Sequence, residues 1–257
     1  MIGAIIGDIV GSRFEFNNTS SKDFALFTNE CEFTDDTICT IAIADAILTG
    51  KGYGETLLSW CERYPNPKGA YGAGFYNWIM QAGSRPYYSF GNGSAMRVSP
   101  VAWAWDNQPE IVREAIKTAE VSHNHPEGLI GAMVTALLIF YNKRLPNREM
   151  SREVCKDIVT QYYGVYELNL PRRGVFDVTC QGCVPLAWYI VENSEDFEDA
   201  IRNAVAYGGD SDTLAAIVGS IAEARFGVSP MLRDEALKYL PDEMLKVYHD
   251  FTKRYGK

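Results

Sequence analysis

Histidine is scarce in this chain, three residues in 257, and the six cysteines, at 31, 39, 61, 155, 180 and 183, include one Cys-x-x-Cys pair, Cys180 and Cys183. A structural zinc site wants a second such pair or well-placed histidines, and a thioredoxin-like site wants a βαβ setting; neither is visible. The cysteines therefore read as reduced thiols, and the cytoplasm is the expected compartment. Positive charge is also short: 24 Lys and Arg against 33 Asp and Glu leave a net charge of −9. That excludes a general nucleic-acid binder, whose affinity rests on clustered Lys and Arg. A small anionic ligand remains compatible, held by helix N-termini, backbone N–H groups and bound metal. The opening MIGAIIGDIVGS lacks a basic n-region and meets Asp8 early, so it does not read as a secretory signal. The charge-free stretch Gly128 to Asn142 falls short of the ~18 apolar residues a membrane span needs and reads as a buried core helix.

What is present is an ordinarily globular composition, 47% hydrophobic, 12% aromatic and 22% charged, with neither internal repeat nor interdomain linker, so residues 1–257 are expected to form a single domain. No alternating pattern is long enough to build a sheet, whereas helical periodicity dominates. It predicts an all-α, multi-helix orthogonal bundle with helices over 2–12, 35–49, 54–63, 72–81, 109–121, 127–142, 151–163, 184–193, 195–207, 212–226, 230–239 and 242–254. Ser194, before Glu195 and Asp196, is placed to cap one start; Gly50 and Gly227 follow apolar runs as stops. The helices 2–12, 127–142 and 212–226 are apolar nearly all round and belong inside. Gly3, Gly7 and Gly11, at successive i+4 steps, leave a groove for another helix backbone. Segments 13–33, 82–100 and 164–183 are expected loops carrying binding groups.

Thr34-Asp35-Asp36-Thr37 opens one apolar run, and Gly208-Gly209-Asp210-Ser211-Asp212-Thr213 opens another. Taken singly, either cluster is ordinary helix capping. Together, if both helix starts face one pocket, four carboxylates converge, and they cannot all stay ionised without a cation. Carboxylate and hydroxyl oxygens are hard ligands, favouring Mg²⁺ or Mn²⁺ over zinc or copper. Thr34, Asp35, Asp36, Asp210, Asp212 and Thr213 could hold a pair of ions ~3.5–4 Å apart.

These two clusters, with the stretch Gly7-Asp8-Ile9-Val10-Gly11-Ser12-Arg13-Phe14-Glu15 and the stretch Gly91-Asn92-Gly93-Ser94-Ala95-Met96-Arg97, closely resemble the ADP-ribosylglycohydrolase family, which includes the dinitrogenase-reductase-activating glycohydrolases. The resemblance runs from about residue 2 to 227 with the motifs in family order. It implies an all-α fold, two Mg²⁺ or Mn²⁺ ions, and hydrolysis of the bond joining ADP-ribose to an acceptor, most simply a modified protein. It makes the six residues above metal ligands and places Glu15 beside the metals and the scissile bond, with Asp35, Asp36 and Glu15 as the catalytic carboxylates. Ser89, Phe90, Gly91, Asn92, Gly93 and Ser94 match the segment that cradles diphosphate and ribose, and His123 matches a histidine near the same groups. The compact loop Phe16 to Phe33 and the aromatic at Phe90 leave the acceptor linkage open. A catalytically silent ADP-ribose binder of the same fold is the alternative, and a two-metal phosphoesterase shares the metal logic without the loop motifs.

Overall fold

A computed structural model describes residues 1–256. In chain order its α-helices are α1 (Ile2–Gly11), α2 (Asp35–Thr49), α3 (Tyr53–Arg63), α4 (Ala73–Met80), α5 (Gly93–Met96), α6 (Ser99–Ala104), α7 (Gln108–Glu120), α8 (Pro126–Arg144), α9 (Arg148–Tyr163), α10 (Cys180–Glu192), α11 (Phe197–Tyr207), α12 (Ser211–Phe226), α13 (Pro230–Leu237) and α14 (Asp242–Tyr255). Among the described residues there is no sheet, only the isolated bridges Thr34–Lys68 and Gly91–Thr179. No described helix is long and apolar enough to cross a membrane.

Sequence pattern sorts these helices into inner and outer ones. Every residue of α1 is buried, as are Ser211 to Ala222 of α12, whereas α7 buries the stripe Ile111, Glu114, Ala115, Thr118 and Ala119 and leaves its other face wet. One contiguous hydrophobic cluster runs from Met1 to Phe251 through all of the inner helices.

The seam between α1 and α12 sets the site. A Cβ on Gly3 would lie 2.1 Å from the Gly219 carbonyl oxygen, one on Gly7 1.9 Å from that of Ala215, and one on Gly11 2.5 Å from Asp212 Cα. The glycine stripe thus lets two main chains touch, and it brings the end of α1 against the start of α12.

The structure departs from the sequence pattern in three places. α5 and α6 lie in what reads as loop, since four- and six-residue helices are too short to carry a period. α10 begins at Cys180 rather than 184: the Thr179 side chain accepts from Gly182 N at 3.1 Å and supports an extra turn that leaves Pro185 inside the helix. α11 is capped by Asp196, whose carboxylate accepts from Asp199 N at 2.8 Å, while Ser194 Oγ donates back to Ile190 O at 2.7 Å. All six cysteines are free and buried.

Candidate metal and ligand site

Both acidic clusters open onto the end of α1. Asp8, fully buried in that helix, accepts from Thr34 N (2.9 Å), Thr34 Oγ1 (2.8 Å) and Thr37 N (3.0 Å), so a carboxylate of α1 satisfies the orphan N–H groups at the start of α2. Thr34 itself caps α2, its Oγ1 accepting from Asp36 N at 3.2 Å. At the other mouth, Gly208 and Gly209 sit at φ 78° and 86°, where a side chain is strained, and a Cβ on Gly209 would also strike Val175 O at 2.3 Å. Asn18 pins this turn to the loop after Glu15, accepting from Gly209 N at 2.7 Å and donating to Gly209 O at 3.0 Å. Asp210 follows in the cap position but makes no cap bond; its Oδ2 accepts from Asn92 Nδ2 at 2.7 Å. Thr213 Oγ1 donates to Asp36 Oδ2 at 3.1 Å and ties the two clusters together.

Carboxylate oxygens of Asp8, Asp36 and Asp212 lie within 4.8 Å of one another, and so do those of Glu15, Asp210 and Asp212. Burial, and then the neighbouring carboxylates of Asp210, Asp36, Glu15 and Asp8, push the Asp212 carboxyl well above the usual range. Burial followed by the charge of Asp8 does the same to Asp35 and to Asp36. Asp8 is raised to about 6, chiefly by burial, and Glu15 to about 7 by burial and then Asp210. Three oxygens in this group, Asp36 Oδ1, Asp212 Oδ1 and Glu15 Oε2, are buried without a hydrogen-bond partner. Buried acceptors left unpaired are costly, and three carboxylate oxygens with open lone pairs in one acidic cluster fit hard divalent cations.

Beside the acids lies a cavity of about 330 Å³. Glu15, Asp35, Asp210, Asp212 and Thr213 form its acidic end; Ser89, Gly91, Asn92, Gly93 and His123 line it further along. Thr34 and Asp36 sit below this surface, bonded to Asp8 and Thr213. Two residues expected at the cavity lie elsewhere. The Phe90 ring is 45% exposed and packs edge-on against His125 at 5.3 Å, so its backbone, donated to by Cys180 N, is what belongs to the loop. Ser94 is fully buried and donates to Gly128 O at 2.7 Å, anchoring the glycine loop on α8.

The structure adds residues to which sequence reasoning gives no role. Asp8 is one; its signal is a lone charge inside an otherwise apolar, glycine-striped helix. Asn18 and the cavity-lining Arg97 are others. Arg97 ends the Gly91–Arg97 motif, and no pattern announces that its side chain is fully buried.

A family model described as ADP-ribosylglycohydrolase matches residues 1–255. The chain is 22% identical to ADP-ribosylhydrolase ARH3 of Mus musculus, over 89% of this chain and 83% of that one. It is 24% identical to the ADP-ribosyl-(dinitrogen reductase) glycohydrolase of Rhodospirillum rubrum, over 88% and 84%, and 25% identical to the ADP-ribosylarginine hydrolase Tri1 of Pseudomonas putida, over 90% and 70%. A solved structure titled ADP-ribosylglycohydrolase-related protein complex superposes with a TM-score of 0.76 at 20% identity, covering 99% of this chain and 97% of that one. With its family model matched from end to end and its helices in the same arrangement, this chain belongs to the ADP-ribosylglycohydrolase family, whose members are hydrolases of ADP-ribose glycosidic bonds.

Proposed function

We propose that this protein releases ADP-ribose from a modified acceptor, a protein in the first instance, by hydrolysing the glycosidic bond at the terminal ribose, and that it does so in the cytoplasm with two Mg²⁺ or Mn²⁺ ions. The observation that carries this reading is the meeting of two distant acidic clusters at one end of a cavity, with one oxygen of each, and one of the neighbouring Glu15, unpaired. Thr34, Asp35, Asp36, Asp210, Asp212 and Thr213 would hold the ions, with Asp8 and Glu15 within reach of the same oxygens. Bound there, such cations supply Lewis-acid activation of water and a grip on ribose hydroxyls.

The chain's own groups divide the remaining work. Asp35, the α2 acid that lines the cavity, takes a proton from the attacking water in this reading. Glu15, across the same acidic end, gives or shares a proton at the leaving group, in the two-sided arrangement of glycoside hydrolysis. The backbone of Gly91 to Gly93, with Ser89 and His123, orients the diphosphate and ribose along the wall.

The test is release of ADP-ribose from a modified protein, assayed with Mg²⁺ and with EDTA, for the native chain and for Asp210→Asn. Loss of activity by about 100-fold or more in both cases is expected. Turnover that survives both ends the metal-dependent reading, and calorimetric binding of ADP-ribose without turnover assigns a binding module instead.

A further inference from the structure

Arg97 carries a charge into the core and makes no ion pair among the described residues. Its side chain is fully buried, and one terminal nitrogen donates both to Thr118 O and to Ser122 Oγ, each at 2.8 Å. Thr118 O lies in the last turn of α7, so the negative end of that helix stands in for the missing acid. Ser122, also fully buried, lies 2.8 Å from His123 Nδ1. Its oxygen is already an acceptor from Arg97 and has one proton of its own to place. Among the described residues the side-chain partners of that hydroxyl are Arg97 and His123. If Nδ1 carried the imidazole proton, the Ser122 proton would be buried without an acceptor, a loss that such sites rarely tolerate. The hydroxyl therefore donates to Nδ1, and a neutral imidazole with an accepting Nδ1 has its proton on Nε2.

Nε2 faces the glycine loop. A Cβ on Gly93 would lie 2.9 Å from it and one on Gly91 3.5 Å, and the ring is held edge-on by Tyr87 at 5.5 Å and tilted against Phe75 at 6.3 Å. Burial, and then the Arg97 charge, hold the His123 pKa well below its ordinary value, so the ring is neutral at physiological pH.

We propose that Arg97 and Ser122 are positioning residues that fix His123 as the Nε2–H tautomer, making it a hydrogen-bond donor to an anionic oxygen of the ligand in the Gly91–Gly93 loop. The ligand half of this inference rests on the function proposed above; the tautomer half does not. A histidine free to protonate its other nitrogen would present a lone pair to the same oxygen and repel it. The fixed tautomer turns one ambiguous group into a donor without adding a titrating charge to the cavity.

The experiment is nitrogen-15 NMR of the imidazoles in the intact protein, where three histidines keep assignment simple, paired with calorimetry using ADP-ribose. The native chain is expected to show His123 neutral with the proton on Nε2, and Ser122→Ala to show a mixture of tautomers, about tenfold weaker ADP-ribose binding, and an unchanged thermal shift with Mg²⁺. Ser122→Thr, which keeps the hydroxyl, is expected to restore both tautomer and affinity. A proton on Nδ1 in the native chain, or Ser122→Ala binding ADP-ribose as tightly as the native chain does, overturns the inference. A native chain that shows the Nε2 proton but binds no ADP-ribose upholds the tautomer and overturns its ligand half together with the proposed function.

Discussion

At the start of α2, Thr34 caps its own helix and Asp8 reaches across from α1 to take two backbone N–H groups and a hydroxyl. At the start of α12 the residue in the cap position makes no cap bond, two glycines at positive φ lead in, and Asn92 and Asn18 from separate loops hold the turn. The same helix supports both mouths by opposite means: α1 offers α2 a side chain and offers α12 the absence of one. The α2 half of the acidic cluster is therefore set by hydrogen bonds that lie within buried structure. The α12 half is set by main-chain contact and by borrowed loop residues, one of which holds the turn through Asp210 Oδ2, while Asp212 Oδ1 stays unpaired.

The contrast can be broken most severely at the seam. Gly7→Ala would put a methyl 1.9 Å from a backbone oxygen of α12, where no rotamer change relieves it. A loss of about 3 kcal/mol or more is expected, read as a lower urea midpoint, together with loss of the Mg²⁺ response because the two mouths separate. Next comes Asp212→Asn, expected to fold, to lose about 100-fold in turnover, and to forfeit the cation's stabilisation. For the native chain that stabilisation should reach about 2.7 kcal/mol at roughly 100 times the dissociation constant, visible as a rise in Tm that EDTA reverses. Asn92→Ala sharpens the comparison with the smallest effect. It removes the bond to Asp210 and should weaken cation affinity by about tenfold, measured by titrating Tm against Mg²⁺, while urea stability without metal changes little. Equal losses of metal-free stability from Asn92→Ala and from Thr34→Ala would contradict the asymmetry, since Thr34 alone belongs to the buried network of α2.

The inner helices were legible because full burial leaves apolar runs nearly unbroken on every face, and the Gly3, Gly7, Gly11 stripe announced the seam that the structure contains. The two acidic clusters stood out because they open similar helices, and the bundle brings them together at one cavity. What stayed hidden depends on partners remote in sequence. Asp8 is a buried charge whose partners, Thr34 and Thr37, lie beyond a long loop, and no pattern in α1 names them. Phe90 and Ser94 sit in a motif whose neighbours do line the cavity, and side-chain direction within so short a turn follows from contacts with His125 and α8 rather than from spacing. Asp196 capped α11 in place of Ser194 because both are good caps two residues apart, and the choice is made by where α10 ends.

At Gly7 and Gly11 the contact between α1 and α12 runs from one peptide backbone to another. Rotamers contribute no slack there, and the backbones that carry Asp8 and Asp212 are held together by main-chain contact. A joint of that kind resists stretching. For the cations proposed above, such a joint would favour an ion of small radius and strict octahedral demand over a larger, more adaptable one such as Ca²⁺.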